Sequence, residues 1–256
     1  MPTALALTYT QEGFVIAADG RERDERKVLT DAAQKIFPIL EQGRILAYAL
    51  CGRVGFDAEN GTVVDLREKV PHIVNVLRRS QHGALSSYAA DLSRHLYSAL
   101  REATETEESN FPTEEAFGDG YVIFHLLLAG YYLGRPDWCF ARFCHKNQHL
   151  IEPVLRADYL PQKRGPIYGP SGIKQRLFES ADPMLTPYRV RGFQDSAQPN
   201  LSDGIEAMKN YVRACCDPEI AKLDPEMCAG VGGHLHLATI TPNDGFEWVI
   251  PPKTEL

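Results

Sequence analysis

The segment from Thr3 to Phe37, TALALTYTQEGFVIAADGRERDERKVLTDAAQKIF, decides the fold of this chain. Two apolar runs rich in β-type residues, at 4–9 and 14–18, are separated by the short polar stretch QEG. This pattern predicts a β-hairpin whose turn uses the conformational freedom of glycine. Third and fourth strands are expected over residues 35–39 and 45–50, so the chain should begin with four short antiparallel strands.

Helical patterns follow these strands. Apolar residues recur at steps of three and four over residues 63–77 and 85–100, which predicts two helices. Pro71 lies inside the first of them and is expected to kink or split it. Strand patterns return over residues 121–129 and 138–144. The remaining predicted elements are helices over 173–179 and 204–215 and strands over 234–241 and 246–250.

The order of these elements indicates a fold class. Strands, two helices, strands, two helices and strands follow one another along the chain. Two antiparallel sheets packed together, with the helices outside, would bury all the apolar faces. The sequence therefore predicts an α+β protein built as a four-layer αββα sandwich. No internal repeat or linker divides residues 1–256, so one domain is expected.

Composition narrows the classes of function. The formal net charge is −7, which argues against a nucleic-acid partner because such proteins carry a clustered basic excess. No apolar stretch approaches the roughly 20 residues that span a bilayer, so no membrane partner is expected. The N-terminal residues lack the basic region of a signal peptide. A cytoplasmic protein is expected.

Three residues share a regular spacing. Thr3 begins the first strand, Asp19 follows the end of the second, and Lys35 begins the third, each sixteen positions after the one before. The sequence segments around two of them are GFVIAADGR at Gly13–Arg21, which contains Asp19, and KIFPI at Lys35–Ile39. In this spacing and in the local sequence around these residues, the chain resembles the proteasome β-subunit family, including its bacterial relatives.

Further stretches extend the resemblance over most of the chain. ALCGRVGFD at 49–57 is similar to the family's glycine segment that starts the first helix, LLLAGYYLGRPDW at 126–138 to its middle hairpin, and VGGHLHLATITPNDG at 231–245 to its last strands. The resemblance implies an N-terminal-nucleophile (Ntn) hydrolase fold of proteasome-subunit type. It also implies that this chain carries insertions near residues 104–118, 156–166 and 181–200.

The resemblance assigns a chemical role to each residue. A threonine hydroxyl is a weak nucleophile until a base removes its proton, and a free N-terminal amine on Thr3 would do so. Lys35 would place positive charge beside the hydroxyl and pass protons, and Asp19 would orient Lys35. The backbone N–H of Gly52 is the expected oxyanion donor, since glycine lets the backbone approach a ligand closely.

The chain also departs from the family pattern. Met1 and Pro2 precede Thr3, so the amine of Thr3 is acylated unless both residues are removed. Ser171 matches the family's supporting serine only after a slip of one residue, and Asp217 resembles its late supporting aspartate without the usual serine nearby. We therefore treat Ser171 and Asp217 as weaker site predictions than Thr3, Asp19 and Lys35.

The resulting functional hypothesis is a threonine-type endopeptidase subunit that cleaves peptides or unfolded proteins without a cofactor. The resemblance implies self-association into a ring-like homo-oligomer and suggests a regulatory ATPase as a further partner. Two alternatives remain open. In one, Met1 and Pro2 permanently block Thr3 and the chain is a structural subunit without activity. In the other, it is an Ntn amidase that acts on small amides.

Two other kinds of site were weighed. His234 and His236 lie two residues apart on a predicted strand, so both face one side, but no third metal ligand is evident nearby. No metal site is predicted. Ser171 lies in a GPSG sequence that lacks the strand-to-helix elbow of a serine hydrolase, which argues against that class.

Overall fold

The computed structural model describes residues 3–23, 27–41, 43–57, 63–104, 121–146, 149–158, 167–180 and 182–253. Its strands are β1 (Leu5–Tyr9), β2 (Phe14–Ala18), β3 (Glu22–Arg23), β4 (Val28–Thr30), β5 (Ile36–Glu41), β6 (Arg44–Gly52), β7 (Gly55–Asp57), β8 (Val63–Asp65), β9 (Tyr121–Tyr132), β10 (Arg135–Lys146), β11 (His149–Asp158), β12 (Ile167–Tyr168), β13 (His236–Thr241) and β14 (Gly245–Ile250). Its α-helices are α1 (Leu66–Leu77), α2 (Leu85–Thr104), α3 (Ser171–Phe178), α4 (Arg191–Asp195), α5 (Leu201–Cys216) and α6 (Pro225–Cys228). Two 3₁₀ helices cover Pro183–Tyr188 and Ile220–Leu223.

The first five-stranded sheet contains the N-terminal hairpin and has the order β12-β1-β2-β13-β14. β1 pairs with β2 in antiparallel register, with Leu5 opposite Ala18 and Tyr9 opposite Phe14. Every residue of β2 and of β13 is buried, because each of these strands lies between two neighbours and is covered on its faces. The predicted hairpin is confirmed, and it lies next to a strand from the far end of the chain.

The second five-stranded sheet has the order β11-β10-β9-β6-β5. β5 pairs with β6 from Ile36 opposite Ala49 to Glu41 opposite Arg44. Two short hairpins form sheets of their own, β3 with β4 and β7 with β8. The described strands thus belong to several antiparallel sheets of unequal size.

This organisation corrects the predicted fold class. The four-layer αββα sandwich of Ntn-hydrolase type assumed that all strands join two stacked sheets, whereas β3–β4 and β7–β8 pair separately. The physical reason is that an apolar pattern reports which side chains avoid water, and does not report which strands exchange backbone hydrogen bonds. The prediction of a four-layer sandwich is therefore wrong.

The chain divides into two compact units. The first comprises Met1–Cys51, Ala129–Pro136 and Leu160–Leu256, and the second comprises Gly52–Leu128 and Asp137–Tyr159. The single domain expected over residues 1–256 stays a prediction.

The core of the first unit forms where α5 packs on β1 and β2. One face of α5 is apolar at helical spacing and carries the buried residues Ala207, Met208, Tyr211, Val212 and Cys215. The helix begins with Asn200 as its N-cap, whose side chain accepts a hydrogen bond from the Asp203 N–H. The sequence prediction began this helix at residue 204, three residues after its first residue in the structure.

The second unit contains α1 and α2, which pack on each other, and α2 also packs on β11. Asp65 caps α1 by accepting a hydrogen bond from the Arg67 N–H. Pro71 lies within α1, and the helix continues past it to Leu77, so Pro71 does not split the helix.

The predicted insertions have different outcomes. Residues 104–118 and 156–166 lie largely outside the described residues. Within 181–200, which was expected to be an extended loop, the described residues form a 3₁₀ helix and α4. Among the helices that the structure describes, none is both long enough and apolar enough to cross a membrane.

Candidate active site

The three residues singled out by their spacing lie together in the first unit. Because Leu5 pairs with Ala18, the hairpin brings Thr3 and Asp19 side by side just beyond its paired ends. Lys35 directly precedes β5, and its Nζ donates hydrogen bonds to Asp19 Oδ1 at 2.9 Å and to Thr3 Oγ1 at 3.4 Å. All three residues are buried, with exposed fractions of 5% for Thr3, 0% for Asp19 and 8% for Lys35.

Asp19 is held by backbone groups as well as by Lys35. The Ala4 N–H donates to Oδ1 at 3.0 Å, and the N–H groups of Gly232 and Arg21 donate to Oδ2 at 3.1 and 3.3 Å. A carboxylate needs several donors when it is removed from water, and these four contacts provide them. Asp19 therefore has a fixed position from which it orients the Lys35 ammonium.

Thr3 is enclosed by two further residues. A Cβ added at Gly169 would lie 2.7 Å from the Thr3 carbonyl oxygen, so the backbone that precedes α3 approaches Thr3 closely. Gly169 also has a φ of 128°, which favours glycine. On another side, the Thr3 hydroxyl donates a hydrogen bond to the Cys51 sulfur near the end of β6, and burial raises the pKa of this thiol to about 11. Cys51 is therefore a neutral neighbour of the hydroxyl.

The backbone of Lys35 has an unusual partner. Its N–H donates to Nε2 of His236 at 3.1 Å, while its carbonyl oxygen accepts from the Leu50 N–H at 3.1 Å. His236 begins β13 and lies opposite Ala18, one residue before Asp19. The strand order β2-β13 thus brings a histidine from near the C-terminus to the lysine.

Gly52 ends β6 with a φ of 115°. A Cβ at this position would lie 2.5 Å from the Ile123 carbonyl oxygen, which the Arg53 N–H also approaches as a donor. The close approach of β9, which contains Ile123, therefore explains why this position is a glycine, with no ligand needed. The role of the Gly52 N–H as an oxyanion donor stays a prediction.

The two weaker site predictions have different surroundings. Ser171 is exposed at the first position of α3, and the next N–H, that of Gly172, donates to Asp224 Oδ2 at 3.0 Å. Asp217 accepts hydrogen bonds from Tyr188 Oη and from the Glu219 N–H. The Tyr188 hydrogen bond is the main cause that lowers the pKa of Asp217. These contacts are those of helix-end residues, and supporting roles for Ser171 and Asp217 stay predictions.

The two neighbouring histidines do not act as a pair. His236 faces Lys35, whereas the His234 ring is hydrogen-bonded to the Pro251 carbonyl oxygen at 2.8 Å. Within the described part of the chain, no three histidine, cysteine, aspartate or glutamate side chains are grouped as a metal would require.

Sequence reasoning missed four residues that contact the predicted trio, namely Cys51, Gly169, Gly232 and His236. Cys51 was quoted only within the stretch ALCGRVGFD, and His236 was considered only as a metal ligand. The one signal that pointed to this region was the stretch VGGHLH, whose paired glycines permit close backbone approach. It becomes informative only when the pairing of β13 with β2 is known.

Comparisons with known proteins give a likeness of fold. No protein-family model matches this chain, and no curated protein matches it. Among solved structures, the helical assembly of the Anbu complex from Pseudomonas aeruginosa is similar at 12% identity, with a TM-score of 0.57, over 98% of this chain and 87% of that chain. An Anbu mutant from Hyphomicrobium sp. strain MC1 aligns at 14% identity, with a TM-score of 0.47, over 96% and 85% of the two chains.

These findings correct the family expected from the sequence. The resemblance to the proteasome β-subunit family rested on short sequence segments and on the spacing of Thr3, Asp19 and Lys35. No family model or curated protein supports it. The similar structure from Pseudomonas aeruginosa is of an Anbu complex, and at 12% identity it shows the fold alone. Assignment to the proteasome β-subunit family is therefore wrong, and the chain shares the fold of the Anbu complex from Pseudomonas aeruginosa.

Proposed function

We propose that this chain is a threonine-type peptidase in which Thr3 is the nucleophile once Met1 and Pro2 have been removed. One observation carries the proposal: a buried threonine hydroxyl lies 3.4 Å from a buried ammonium that is itself fixed 2.9 Å from a fully buried carboxylate. Burying three such groups is costly unless they are mutually satisfied. A site of this kind fits an activated hydroxyl better than it fits a purely structural contact.

Activation of Thr3 proceeds in two parts. The free amine of Thr3 accepts the hydroxyl proton, which the acylated nitrogen of the longer chain cannot do. The Lys35 ammonium stabilises the negative charge that develops on Oγ1, and in this low-dielectric setting its effect is stronger than in water. Asp19 keeps the ammonium in place through the reaction.

The reaction then follows acyl transfer. Oγ1 of Thr3 bonds to the carbonyl carbon of a peptide, and the carbonyl oxygen takes the negative charge. When the C–N bond breaks, the leaving amine takes up the proton that the Thr3 amine had accepted. Water then hydrolyses the resulting ester and frees Oγ1. The N–H of Gly52 is the proposed donor to the carbonyl oxygen.

We also propose that the chain associates with copies of itself and acts on peptides or unfolded proteins. Support for self-association comes from the similar protein of Pseudomonas aeruginosa, which is described as a helical assembly. Sedimentation velocity over a range of concentrations tests it. A species that stays monomeric at all concentrations would contradict self-association while leaving the proposed chemistry of Thr3 open.

A second candidate function is an inactive structural subunit, and the observation that favours it is Pro2 directly before Thr3. The pyrrolidine ring fixes φ of Pro2 and so restricts the backbone just before the Pro2–Thr3 bond, which makes processing there differ from that after most residues. Intact-mass spectrometry of the purified protein separates the two candidates. A chain that begins at Thr3 supports the peptidase, whereas a quantitative Met1 or Pro2 terminus supports the inactive subunit.

A chain released from a cleavable fusion so that it begins at Thr3 removes this ambiguity. We expect it to cleave unstructured peptides, and the same chain with Thr3→Val should lose at least about a thousandfold in rate because valine keeps the shape but lacks the hydroxyl. Thr3→Ser is the matched control and should retain measurable cleavage. Full activity of the valine variant would rule out Thr3 as nucleophile. Cleavage of small amides but not of peptides would indicate an amidase instead.

A further inference from the structure

One segment of the first unit contacts both charged members of the candidate site. The Gly232 N–H donates to Asp19 Oδ2 at 3.1 Å, and His236 Nε2 accepts from the Lys35 N–H at 3.1 Å. The carbonyl oxygen of Gly232 also accepts from the Gly20 N–H at 3.1 Å. Residues 232–236 therefore hold the carboxylate and the lysine backbone at the same time.

The His236 ring is suited to accept one hydrogen bond and donate one. Only 1% of this residue is exposed, and burial lowers its pKa to about 4, so the ring is neutral near pH 7. Nε2 has no proton because it accepts from Lys35, and the other ring nitrogen hydrogen-bonds to the His234 backbone. The charged or titratable groups that face the ring are Lys35 and His234, and the Trp248 ring packs edge-on at 6.1 Å.

The Lys35 amide has its acceptor outside the strand ladder. Lys35 directly precedes β5, and β5 pairs with β6 from Ile36 onward. The carbonyl of Lys35 joins this ladder through Leu50, but its N–H points to the histidine ring. Without that ring a buried N–H loses its partner, which costs much more than an exposed one.

We propose that His236 is a positioning residue, whose neutral imidazole fixes the Lys35 backbone so that the ammonium reaches both Asp19 and Thr3. This inference deepens the proposed peptidase function and rests on it for its catalytic consequence. The contact between the ring and the Lys35 amide can be tested without any activity. His236 touches neither the substrate nor the reacting atoms, and it acts through Lys35.

Three substitutions at His236 separate positioning from simple loss of packing. Glutamine extends an amide oxygen to about the place of Nε2 and keeps the acceptor for Lys35. Asparagine is shorter and keeps only the contact with His234, and leucine keeps neither. His234→Leu is the matched control, because it removes a histidine from the same segment whose ring faces Pro251.

The first measurement is hydrogen–deuterium exchange at pH 7, with fragmentation that resolves the Lys35 amide. We expect exchange to accelerate about tenfold to a hundredfold in His236→Asn and His236→Leu, and by less than about threefold in His236→Gln and His234→Leu. Unchanged protection of Lys35 in His236→Leu would refute the proposal. So would equal loss of protection in the glutamine variant.

The second measurement is peptide cleavage by the same variants, each beginning at Thr3. The rate should follow the protection of Lys35, with the glutamine variant near wild type and the asparagine and leucine variants reduced about tenfold or more. Normal cleavage in a variant that has lost Lys35 protection would overturn the positioning role. If the wild-type chain cleaves no peptide, the proposed function fails, and the exchange data alone still decide whether His236 holds Lys35.

Discussion

Asp19 and Asp31 each form an ion pair in the first unit, and the two pairs differ in almost every physical respect. The Asp19–Lys35 pair is buried, with side-chain exposures of 0% and 10%, whereas the Asp31–Arg21 pair has 52% and 28%. The exposed pair has the shorter contact, 2.7 Å against 2.9 Å. Contact distance therefore does not measure what a pair contributes.

The difference lies in what each aspartate would lose. Asp31 has a bidentate contact with the Arg21 guanidinium, at 2.7 and 3.2 Å, which lowers its pKa, but water is ready to replace that partner. Asp19, by contrast, is fully buried, and it accepts from Lys35 and from three backbone N–H groups. We call Asp19–Lys35 the inner pair and Asp31–Arg21 the outer pair. The comparison indicates that burial makes the inner pair indispensable for stability, and four predictions test this.

The largest effect is expected from Asp19→Ala. It leaves the Lys35 ammonium and three backbone donors buried without their acceptor, so the free energy of unfolding should fall by about 3–5 kcal/mol. Lys35→Met is the matched partner variant and should cost less, about 1–3 kcal/mol, because the carboxylate keeps its three backbone donors. Urea denaturation measures both. Equal or reversed losses would show that the backbone donors contribute little to holding Asp19.

Lowering the pH should weaken the folded state through His236, which is hydrogen-bonded to the Lys35 backbone beside the inner pair. The pKa of His236 is lowered from 6.5 to about 4, so the unfolded chain takes up this proton first as the pH falls. The stability linked to His236 is fully present above pH 6.5 and is lost towards pH 4, by about 3 kcal/mol.

The measurement for this prediction is the difference in unfolding free energy between wild type and His236→Gln as a function of pH. Taking a difference is necessary because burial also lowers the pKa of His125 to about 4, and that residue titrates equally in both chains. The wild type should lose more stability than the variant between pH 6.5 and pH 4. Parallel curves would mean that His236 is accessible to protons in the folded chain.

Gly232 is the point at which the two pairs meet. Its N–H donates to Asp19, and an added Cβ would lie 2.5 Å from Cζ of Arg21. Gly232→Ala should therefore displace Arg21 and destabilise the fold by about 1–3 kcal/mol. Gly83→Ala is the control, since its added Cβ meets no atom within 4 Å. A neutral result at Gly232 would show that the arginine moves away at no cost.

The smallest effect is expected within the outer pair. A double-mutant cycle with Arg21→Ala and Asp31→Ala should give a coupling energy below about 1 kcal/mol that decreases as salt is added. Arg21→Ala alone should cost more than Asp31→Ala, because Arg21 also donates to the Val231 carbonyl oxygen. A coupling energy of several kcal/mol that does not change with salt would show that the exposed pair is not weakened by water, and would contradict the comparison.

The three central residues were predicted from a resemblance. Thr3, Asp19 and Lys35 were singled out by their sixteen-residue spacing and by surrounding segments that resemble the proteasome β-subunit family. Each was also expected at the end of a predicted strand, which a single sequence can indicate. The structure brings the three together, while their catalytic role stays a prediction.

The rest of the site depends on long-range pairing. His236 and Gly232 contact Lys35 and Asp19 only because β13 lies beside β2, and a sequence pattern contains no information about which distant strand becomes a neighbour. The same lack of information produced the wrong four-layer sandwich, because the separate β3–β4 and β7–β8 hairpins were not predicted from the sequence at all. The positions of individual strands and helices were therefore predicted better than the pairing between strands that are distant in the sequence.

The contacts of residues 232–236 with the site have a consequence for the order of events during synthesis. A chain grows from its N-terminus at about 5–20 residues per second, so this segment leaves the ribosome roughly 10–40 seconds after Lys35. Until then the nascent chain has the threonine, the aspartate and the lysine, but lacks the Gly232 donor and the imidazole. The candidate site is thus completed only near the end of translation, which would keep a chain with the proposed function inactive until then.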